Sequence, residues 1–147
     1  MGAACALCAS PGKSLGKDGQ TCAPTRPDSL GPFYESGAPL RQSVGTGYDL
    51  TGTVRSTEGC TPIAAARIEI WLAGPNGAYD DAHRATVIST DDGSYRFEAS
   101  PPPAYGSRPP HLHLRVTAPG FRPLVTQHYP APGQTQGHFE LVLTPSR

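Results

Sequence analysis

The sequence predicts an all-β fold, an antiparallel sandwich of about seven or eight short strands with few or no helices. Its 17 glycines and 17 prolines divide 147 residues at short intervals, and these residues favour turns and disfavour helix interiors. Between them, apolar and polar residues alternate with the period of two that is typical of half-buried strands. A chain of this length is sufficient for one domain with a sizeable core.

Alternation places the strands in order along the chain. We predict strands at residues 50–55, 67–72, 85–90, 94–97, 111–116, 124–129 and 138–143. The second is the clearest half-buried strand, because Ile68, Ile70 and Leu72 alternate with more polar or bulkier neighbours. Asp91-Asp92-Gly93 predicts a hairpin between the third and fourth strands, because glycine tolerates the positive φ that such turns need.

Charge and hydropathy exclude several classes of partner. Twelve basic and 12 acidic residues give no net charge, so the chain lacks the basic surface of a nucleic-acid binder or of a polybasic membrane anchor. No stretch approaches the roughly 18 apolar residues that a membrane span needs. We therefore expect neither nucleic-acid binding nor a membrane span.

The four cysteines are Cys5, Cys8, Cys22 and Cys60. One close pair followed by two widely spaced cysteines lacks the second close pair of a zinc ribbon. Disulfides fit better, and a Cys22–Cys60 bond would tie the N-terminal arm to the first part of the sheet. The alternative is four reduced thiols in a reducing compartment. The disulfide favours an exported protein, although the chain starts without the basic and apolar regions of a signal peptide.

The N-terminal arm and the domain differ in composition. Residues 1–28 are rich in Gly, Ser and Lys without periodicity, which predicts an arm that is flexible or held by a disulfide. Residues 29–147 are predicted to form the β-sandwich domain. Its first segment, Gly31-Pro32-Phe33-Tyr34, is an aromatic turn that we expect to pack against a sheet edge.

His111 and His113 carry the first chemical signal. Two residues apart on a strand, they lie on one face, roughly 6–7 Å apart at the backbone, and could grip one metal ion. Leu112 and Leu114 then share the opposite, apolar face. The preceding prolines cannot donate to a β-ladder, so we expect the strand to begin at His111. Alone, such a pair is more often exposed or hydrogen-bonded than metal-bound.

From about residue 30 to the C-terminus, the order of short motifs resembles the intradiol ring-cleavage dioxygenase family. The motifs are Gly31-Pro32-Phe33-Tyr34, Ile70-Trp71, Gly77-Ala78-Tyr79, Pro103-Ala104-Tyr105, Arg108-Pro109-Pro110-His111-Leu112-His113 and Thr126-Gln127-x-Tyr129. The His-x-His strand after Arg-Pro, with tyrosines upstream at these intervals, is specific when taken together.

The resemblance implies a non-haem Fe(III) site whose ligands are Tyr79, Tyr105, His111 and His113. Its chemistry is consistent, because a phenol with a pKa near 10 needs a nearby cation to stay deprotonated at neutral pH. A hard trivalent ion supplies that charge and prefers anionic oxygen ligands. Two tyrosinates and a hydroxide balance the charge of Fe(III). A catechol dianion can replace one tyrosinate and the hydroxide without changing the total charge.

The resemblance also implies the roles of the pocket residues. Tyr105 is the tyrosine displaced by substrate, and the departing ligands accept the two catechol protons. Arg108 stabilises negative charge on the substrate, while Gln127 and Pro32 line its pocket. The implied reaction inserts both atoms of O2 between the two hydroxylated carbons of a catechol and gives a muconate-type diacid.

Two other functions stay open at this point. Residues 50–54, 66–70 and 90–97 are also similar to non-catalytic β-sandwich modules of the carboxypeptidase-regulatory type, which would carry a vestigial or zinc-occupied site. A histidine-ligated zinc or copper protein is the other.

We expect His83, His128 and His138 to be surface or hydrogen-bonded residues. The identity of the catechol is open, as is a homo-oligomer; the compact segment between Tyr79 and Tyr105 favours an open pocket for bulkier catechols.

Overall fold

The computed structural model describes residues 21–146. Cys5, Cys8 and most of the predicted arm lie outside the described residues. Eight strands are present: β1 (Tyr48–Ser56), β2 (Arg67–Trp71), β3 (Arg84–Ile88), β4 (Ser94–Ala99), β5 (Leu112–Thr117), β6 (Leu124–His128), β7 (Gln136–His138) and β8 (Leu141–Leu143). The helical structure in this range is one 3-10 turn, Asp81–His83. Within residues 21–146, no helix has the length and apolar character needed to cross a membrane.

The strands form two four-stranded sheets. One has the order β4-β1-β7, with β8 also paired to β1, and the other has the order β3-β2-β5-β6. This arrangement confirms the all-β sandwich. The ladders of β1 with β4, β2 with β3, β2 with β5 and β5 with β6 are antiparallel, as expected. However, β7 and β8, which the chain reaches by crossing from the second sheet to the first after β6, run parallel to β1.

Apolar side chains of both sheets fill the space between them. The fully buried members include Leu50, Val54, Ile68, Ile70, Phe97, Leu112, Leu114, Val116 and Leu141. Since alternate residues of a strand point to opposite faces, the three core residues of β5 direct His113 and Arg115 to the outer face of the second sheet. The core thereby places the first candidate ligand.

The expectation of a half-buried β2 is wrong. Its outer face is also buried, with Glu69 only 5% and Trp71 only 2% exposed. Tyr34 covers this face: its hydroxyl donates to Glu69 at 2.8 Å, and its ring lies 5.0 Å from that of Trp71. Arg115 donates to the other carboxylate oxygen of Glu69 at 2.8 Å. Local alternation could not show this cover, because it comes from a distant segment.

The predicted hairpin around Asp91-Asp92-Gly93 is wrong as well. The turn itself forms: Gly93 has φ +82° and donates to the Thr90 carbonyl at 2.8 Å. Asp92 serves the turn, as expected, by accepting bonds from the Thr90 and Ser94 hydroxyls. Beyond it, however, β3 pairs with β2 and β4 pairs with β1. The turn therefore joins the two sheets instead of two neighbouring strands.

The strand predicted at 138–143 is divided into β7 and β8. Between them Phe139 donates to the Thr51 carbonyl at 2.8 Å, and its own carbonyl lies so close to Gly52 that a Cβ there would collide with it. β7 and β8 thus run beside β1 in one parallel register and come closest to it at this glycine, with Leu141 and Leu143 buried on the core side as predicted.

The first described segment, residues 21–30, is here called the N-terminal strap. A disulfide joins Cys22 to Cys60 with the Cα atoms 5.3 Å apart, which confirms the predicted pairing. The strap then contacts both sheets, because Thr25 donates to Val142 of β8 at 3.2 Å and Asp28 donates to Val125 of β6 at 2.9 Å. It therefore closes one side of the sandwich and leads into Gly31-Pro32-Phe33.

Candidate metal centre

The two histidines of the His-x-His motif lie side by side at the start of β5. The strand begins at Leu112, one residue after the predicted start, with His111 directly before it. Both imidazoles are buried, His111 to 4% and His113 to 3% exposure, and their ring centroids are 4.8 Å apart. His113 is paired in the sheet with Trp71 on one side and Gln127 on the other.

Tyr79 completes a cluster with these histidines. It follows a turn after β2 in which Gly74 donates to the Ala78 carbonyl at 2.9 Å and Gly77 adopts φ +83°. Its Oη lies 3.2 Å from Nε2 of His111 and 3.3 Å from Nε2 of His113. Donors held about 2.0–2.2 Å from a shared first-row metal ion at tetrahedral angles would be about 3.3–3.6 Å apart. The spacing of this cluster fits a metal ion.

The protonation of the histidines is also suitable for a ligand role. Nδ1 of His111 lies 2.8 Å from the Pro109 carbonyl, which can only accept, so Nδ1 carries the hydrogen and the Nε2 lone pair faces Tyr79. Burial, followed by repulsion from His111 and Arg108, lowers the pKa of His113 to about 4. His113 is therefore neutral at pH 7, and metal ligation requires the neutral form.

Tyr79 is held between aromatic rings. Phe33 stacks on it with centroids 4.4 Å apart and planes inclined by 10°.

Burial raises the pKa of Tyr79, the nearby Tyr105 raises it further, and Arg108 opposes both. Without a bound cation this phenol is protonated at neutral pH. A tyrosinate at this position would need the charge of a metal ion.

Most of the predicted site residues line one cavity of about 220 Å³. Its walls are Gly31, Pro32, Phe33, Tyr79, Tyr105, Arg108, His111 and His113. The structure thus brings together six of the seven predicted residues, and the seventh, Gln127, lies buried behind Arg108. A larger cavity of about 370 Å³ beside the strap contains none of them.

Tyr105 lies at the edge of this cavity and is 37% exposed. Its ring meets those of Tyr79 and Phe33 edge-on, at centroid distances of 5.4 and 5.7 Å. Tyr105 and Arg108 exchange two backbone hydrogen bonds, of 3.1 and 2.8 Å, so one tight turn carries both residues. Among the described residues, the Tyr105 hydroxyl has no hydrogen-bond partner. Its oxygen is thus available to a ligand in the cavity.

Arg108 is held by a hydrogen-bond network that the sequence did not predict in full. Its Nη2 donates to Gln127 Oε1 at 2.6 Å and to the Tyr129 hydroxyl at 3.0 Å. Tyr129 in turn donates to Asp28 Oδ2 at 2.7 Å. This bond is the main cause that lowers the pKa of Asp28. The spacing of two residues between Gln127, in β6, and Tyr129, directly after it, could have shown that both side chains point to the same side.

Trp71 is a second residue that sequence reasoning left unassigned. Its ring stacks on His113 with centroids 5.0 Å apart and planes inclined by 8°. Because its partner in the β2–β5 register is His113, correct pairing of these two strands would have predicted the contact. Trp71 thereby restrains the ring of a candidate ligand.

The other histidines have different partners, as expected. Hydrogen bonds join His83 to Asp80 at 2.6 Å, His128 to Tyr48 at 2.7 Å and His138 to Glu140 at 2.6 Å. In the part of the chain that the structure describes, no three His, Cys, Asp or Glu side chains form a metal-binding group. A metal centre here would therefore depend on tyrosine oxygens in addition to the two histidines.

Comparison with known proteins finds relatives that are all named 1,2-dioxygenases. No family model matches the chain. The chlorocatechol 1,2-dioxygenase of Pseudomonas putida is 31% identical, with 70% of this chain and 52% of the relative aligned. The hydroxyquinol 1,2-dioxygenase of Nocardioides simplex is 35% identical over 66% of this chain and 44% of the relative. The chain spans about half the length of the curated relatives it matches.

The solved structures agree in fold. The dioxygenase domain of a dioxygenase–carbohydrate-binding protein fusion from Streptomyces sp. SirexAA-E superposes with a TM-score of 0.76 at 26% identity, covering 84% of this chain and all of that domain. The chlorocatechol 1,2-dioxygenase of Pseudomonas putida gives a TM-score of 0.70 at 22% identity, covering 80% and 71%. With these relatives and this fold, the chain belongs to the intradiol ring-cleavage dioxygenase family.

Proposed function

We propose that the chain is a non-haem Fe(III) dioxygenase that cleaves a catechol-type ring between its two hydroxylated carbons with O2. The observation that carries the proposal is the meeting of Tyr79 Oη with both Nε2 atoms on the wall of a cavity that Arg108 also lines. The names of the relatives, catechol-type 1,2-dioxygenases, support the same chemistry. They do not favour the non-catalytic module or the zinc and copper alternatives.

Tyr79, Tyr105, His111 and His113 are the residues that would hold the iron. Two phenolate oxygens and two imidazole nitrogens form a set that suits a hard trivalent ion better than a soft one. When bound, such an ion would keep the phenolates deprotonated and make a coordinated catecholate electron-rich enough to meet O2. The chain supplies the geometry around it.

Tyr105 is proposed to receive a substrate proton. Tyr105 is the more exposed of the two tyrosines, and its hydroxyl, within the described range, has no hydrogen-bond partner to lose. As the catechol enters, a phenolate at this position can take the proton of one catechol hydroxyl. The tight turn that joins Tyr105 to Arg108 places this proton acceptor beside a fixed positive charge.

Arg108 is proposed to stabilise the negative charge that develops on the substrate. Guanidinium groups stay charged at all relevant pH values. A positioned cation in a site shielded from water stabilises developing negative charge far more than a cation in bulk solvent does. Among the described residues that line the cavity, it is the only arginine or lysine. Because this cation is assigned to the charge that develops in the reaction, we infer that catechols without a carboxylate substituent are preferred.

The disulfide bears on where the protein works. Cys22–Cys60 is closed in the structure, and disulfides persist mainly in oxidising compartments. We propose that the protein is exported from the cytoplasm.

An isotope experiment tests the proposed reaction. The full chain is loaded with iron and incubated with a panel of catechols under ¹⁸O2. The expected product has the mass of the substrate plus two ¹⁸O atoms and is a diacid opened between the former hydroxylated carbons. Zinc-loaded protein serves as the control and should yield no product. An iron-loaded chain that consumes no O2 with any catechol would refute the proposal.

A further inference from the structure

We propose that Tyr129 and Asp28 are positioning residues for Arg108, so that the N-terminal strap forms part of the substrate site. The inference rests on the proposed function, in which Arg108 faces the substrate. Neither residue lines the cavity itself, and their effect would act through the orientation of the guanidinium.

The first argument is the direction of the Arg108 bonds. Both of its side-chain hydrogen bonds are donated by Nη2, one to Gln127 at 2.6 Å and one to Tyr129 at 3.0 Å. Within residues 21–146, Nη1 and Nε have no hydrogen-bond partner. Since the guanidinium is planar and its donors form a rigid fork, fixing one nitrogen at two acceptors directs the remaining donors. The two acceptors thus orient the side of Arg108 that can meet a substrate.

The second argument concerns the single hydrogen of the Tyr129 hydroxyl. Two acceptors lie within reach, Asp28 Oδ2 at 2.7 Å and Gln127 Oε1 at 2.9 Å. Gln127 Oε1 already accepts a hydrogen bond from Arg108, and a carboxylate oxygen is a stronger acceptor than an amide oxygen. The hydrogen therefore goes to Asp28, which leaves the lone pairs of the Tyr129 oxygen available to Arg108. Asp28 in this way determines how Tyr129 presents its oxygen.

The third argument is that the strap holds both acceptors of Arg108. The Ser29 carbonyl accepts from Gln127 Nε2 at 2.8 Å, while the neighbouring Asp28 accepts from Tyr129. The strap is fixed in turn by the bond from Asp28 N to the Val125 carbonyl at 2.9 Å. Two adjacent strap residues thus determine the position of both partners, as pre-organisation of a catalytic cation requires.

The exposure of these residues separates a positioning role from a structural one. Tyr129 is 43% exposed, and Asp28 is also exposed. Substitutions of exposed side chains usually leave the fold intact. If the network served the fold alone, removing it would lower stability modestly and leave kcat/KM unchanged. If it orients Arg108, catalysis should suffer while the fold persists.

The test uses Tyr129→Phe and Asp28→Asn in the full iron-loaded chain. Phenylalanine keeps the ring, whose centroid lies 6.1 Å from that of His111, and removes only the hydroxyl. We expect kcat/KM to fall about 10- to 100-fold, as for the loss of one hydrogen bond to a charged group, with most of the loss in kcat. Asp49→Asn is the matched control, because Asp49 binds Arg96 on the other sheet at 2.9 Å, and it should retain wild-type kinetics.

A double-mutant cycle distinguishes positioning from a general loss of structure. When Arg108 is replaced by alanine, adding Tyr129→Phe should cause no further fall in kcat/KM. Wild-type kinetics in both variants, or an undiminished effect of Tyr129→Phe without Arg108, would overturn the inference.

A measurement without turnover keeps the inference separate from the proposed function. In NMR spectra of the ¹⁵N-labelled chain, the Arg108 guanidinium should give an ordered signal in the wild type that broadens in Tyr129→Phe and in Asp28→Asn. An unchanged signal would contradict positioning, whether or not the protein cleaves catechols. An inactive wild type with the expected change in signal would count against the proposed function alone.

Discussion

The Tyr79→Phe variant is expected to lose its affinity for ferric iron, and with it ring-cleaving activity, while remaining folded. The substitution removes the oxygen that lies 3.2 and 3.3 Å from the two histidine nitrogens. It keeps the ring that stacks on Phe33 at 4.4 Å. Because a trivalent hard ion depends on anionic oxygen, the loss in iron affinity should exceed the roughly 10–100-fold typical of losing an outer-shell partner. Iron titration followed by absorbance and O2 uptake measures both effects.

Tyr95→Phe is the matched control for this prediction. The Tyr95 hydroxyl donates to the Phe139 carbonyl at 2.7 Å in the first sheet, away from the candidate centre. Its loss should lower the free energy of unfolding by about 1 kcal/mol, the net worth of a typical hydrogen bond, and leave iron affinity unchanged. Wild-type iron affinity in Tyr79→Phe would remove Tyr79 from the ligand set.

Loss of the Cys22–Cys60 bond is expected to have the largest effect on stability. The cross-link spans 38 residues, and the chain-entropy model assigns a loop of that length about 4 kcal/mol, with measured values for disulfides of about 2–4 kcal/mol. Cys22→Ser should therefore lower the free energy of unfolding by about 2–4 kcal/mol in urea denaturation at equal protein concentration.

Reduction provides the control for the disulfide prediction. A reductant should destabilise the wild type to about the same extent and should have little further effect on Cys22→Ser. Equal stability of oxidised and reduced wild type would show that the bond does not contribute to the folded state. The strap would then be held by its hydrogen bonds, among them those to Val142 and Val125.

Local periodicity was enough to predict the strand that carries the histidines. In β5 the alternation places Leu112 and Leu114 in the core and His113 on the opposite face, because a strand with one face in the core has its register fixed by the apolar residues. The tyrosines were a different case. Nothing in the local pattern of Tyr79 or Tyr105 indicates a shared cavity, and only the order of motifs in the family resemblance suggested it.

Features that depend on distant segments could not be predicted from local pattern. The turn at Gly93 has the chemistry of a hairpin, but whether its flanking strands pair is decided by β1 and β2. The burial of Glu69 depends on Tyr34, 35 residues away. Asp28, which lies 101 residues from Tyr129, fell within the predicted N-terminal arm. Its part in the Arg108 network follows only from the closed fold.

The visible absorption of the iron-loaded wild-type protein tests the central claim most directly. Tyrosinate bound to Fe(III) gives a charge-transfer band, so a solution with one iron per chain should be red to burgundy, and the band should be lost in Tyr79→Phe. A colourless protein that nevertheless holds one iron per chain would contradict tyrosinate ligation. So would a wild-type protein that binds zinc stoichiometrically at the two histidines and takes up no iron.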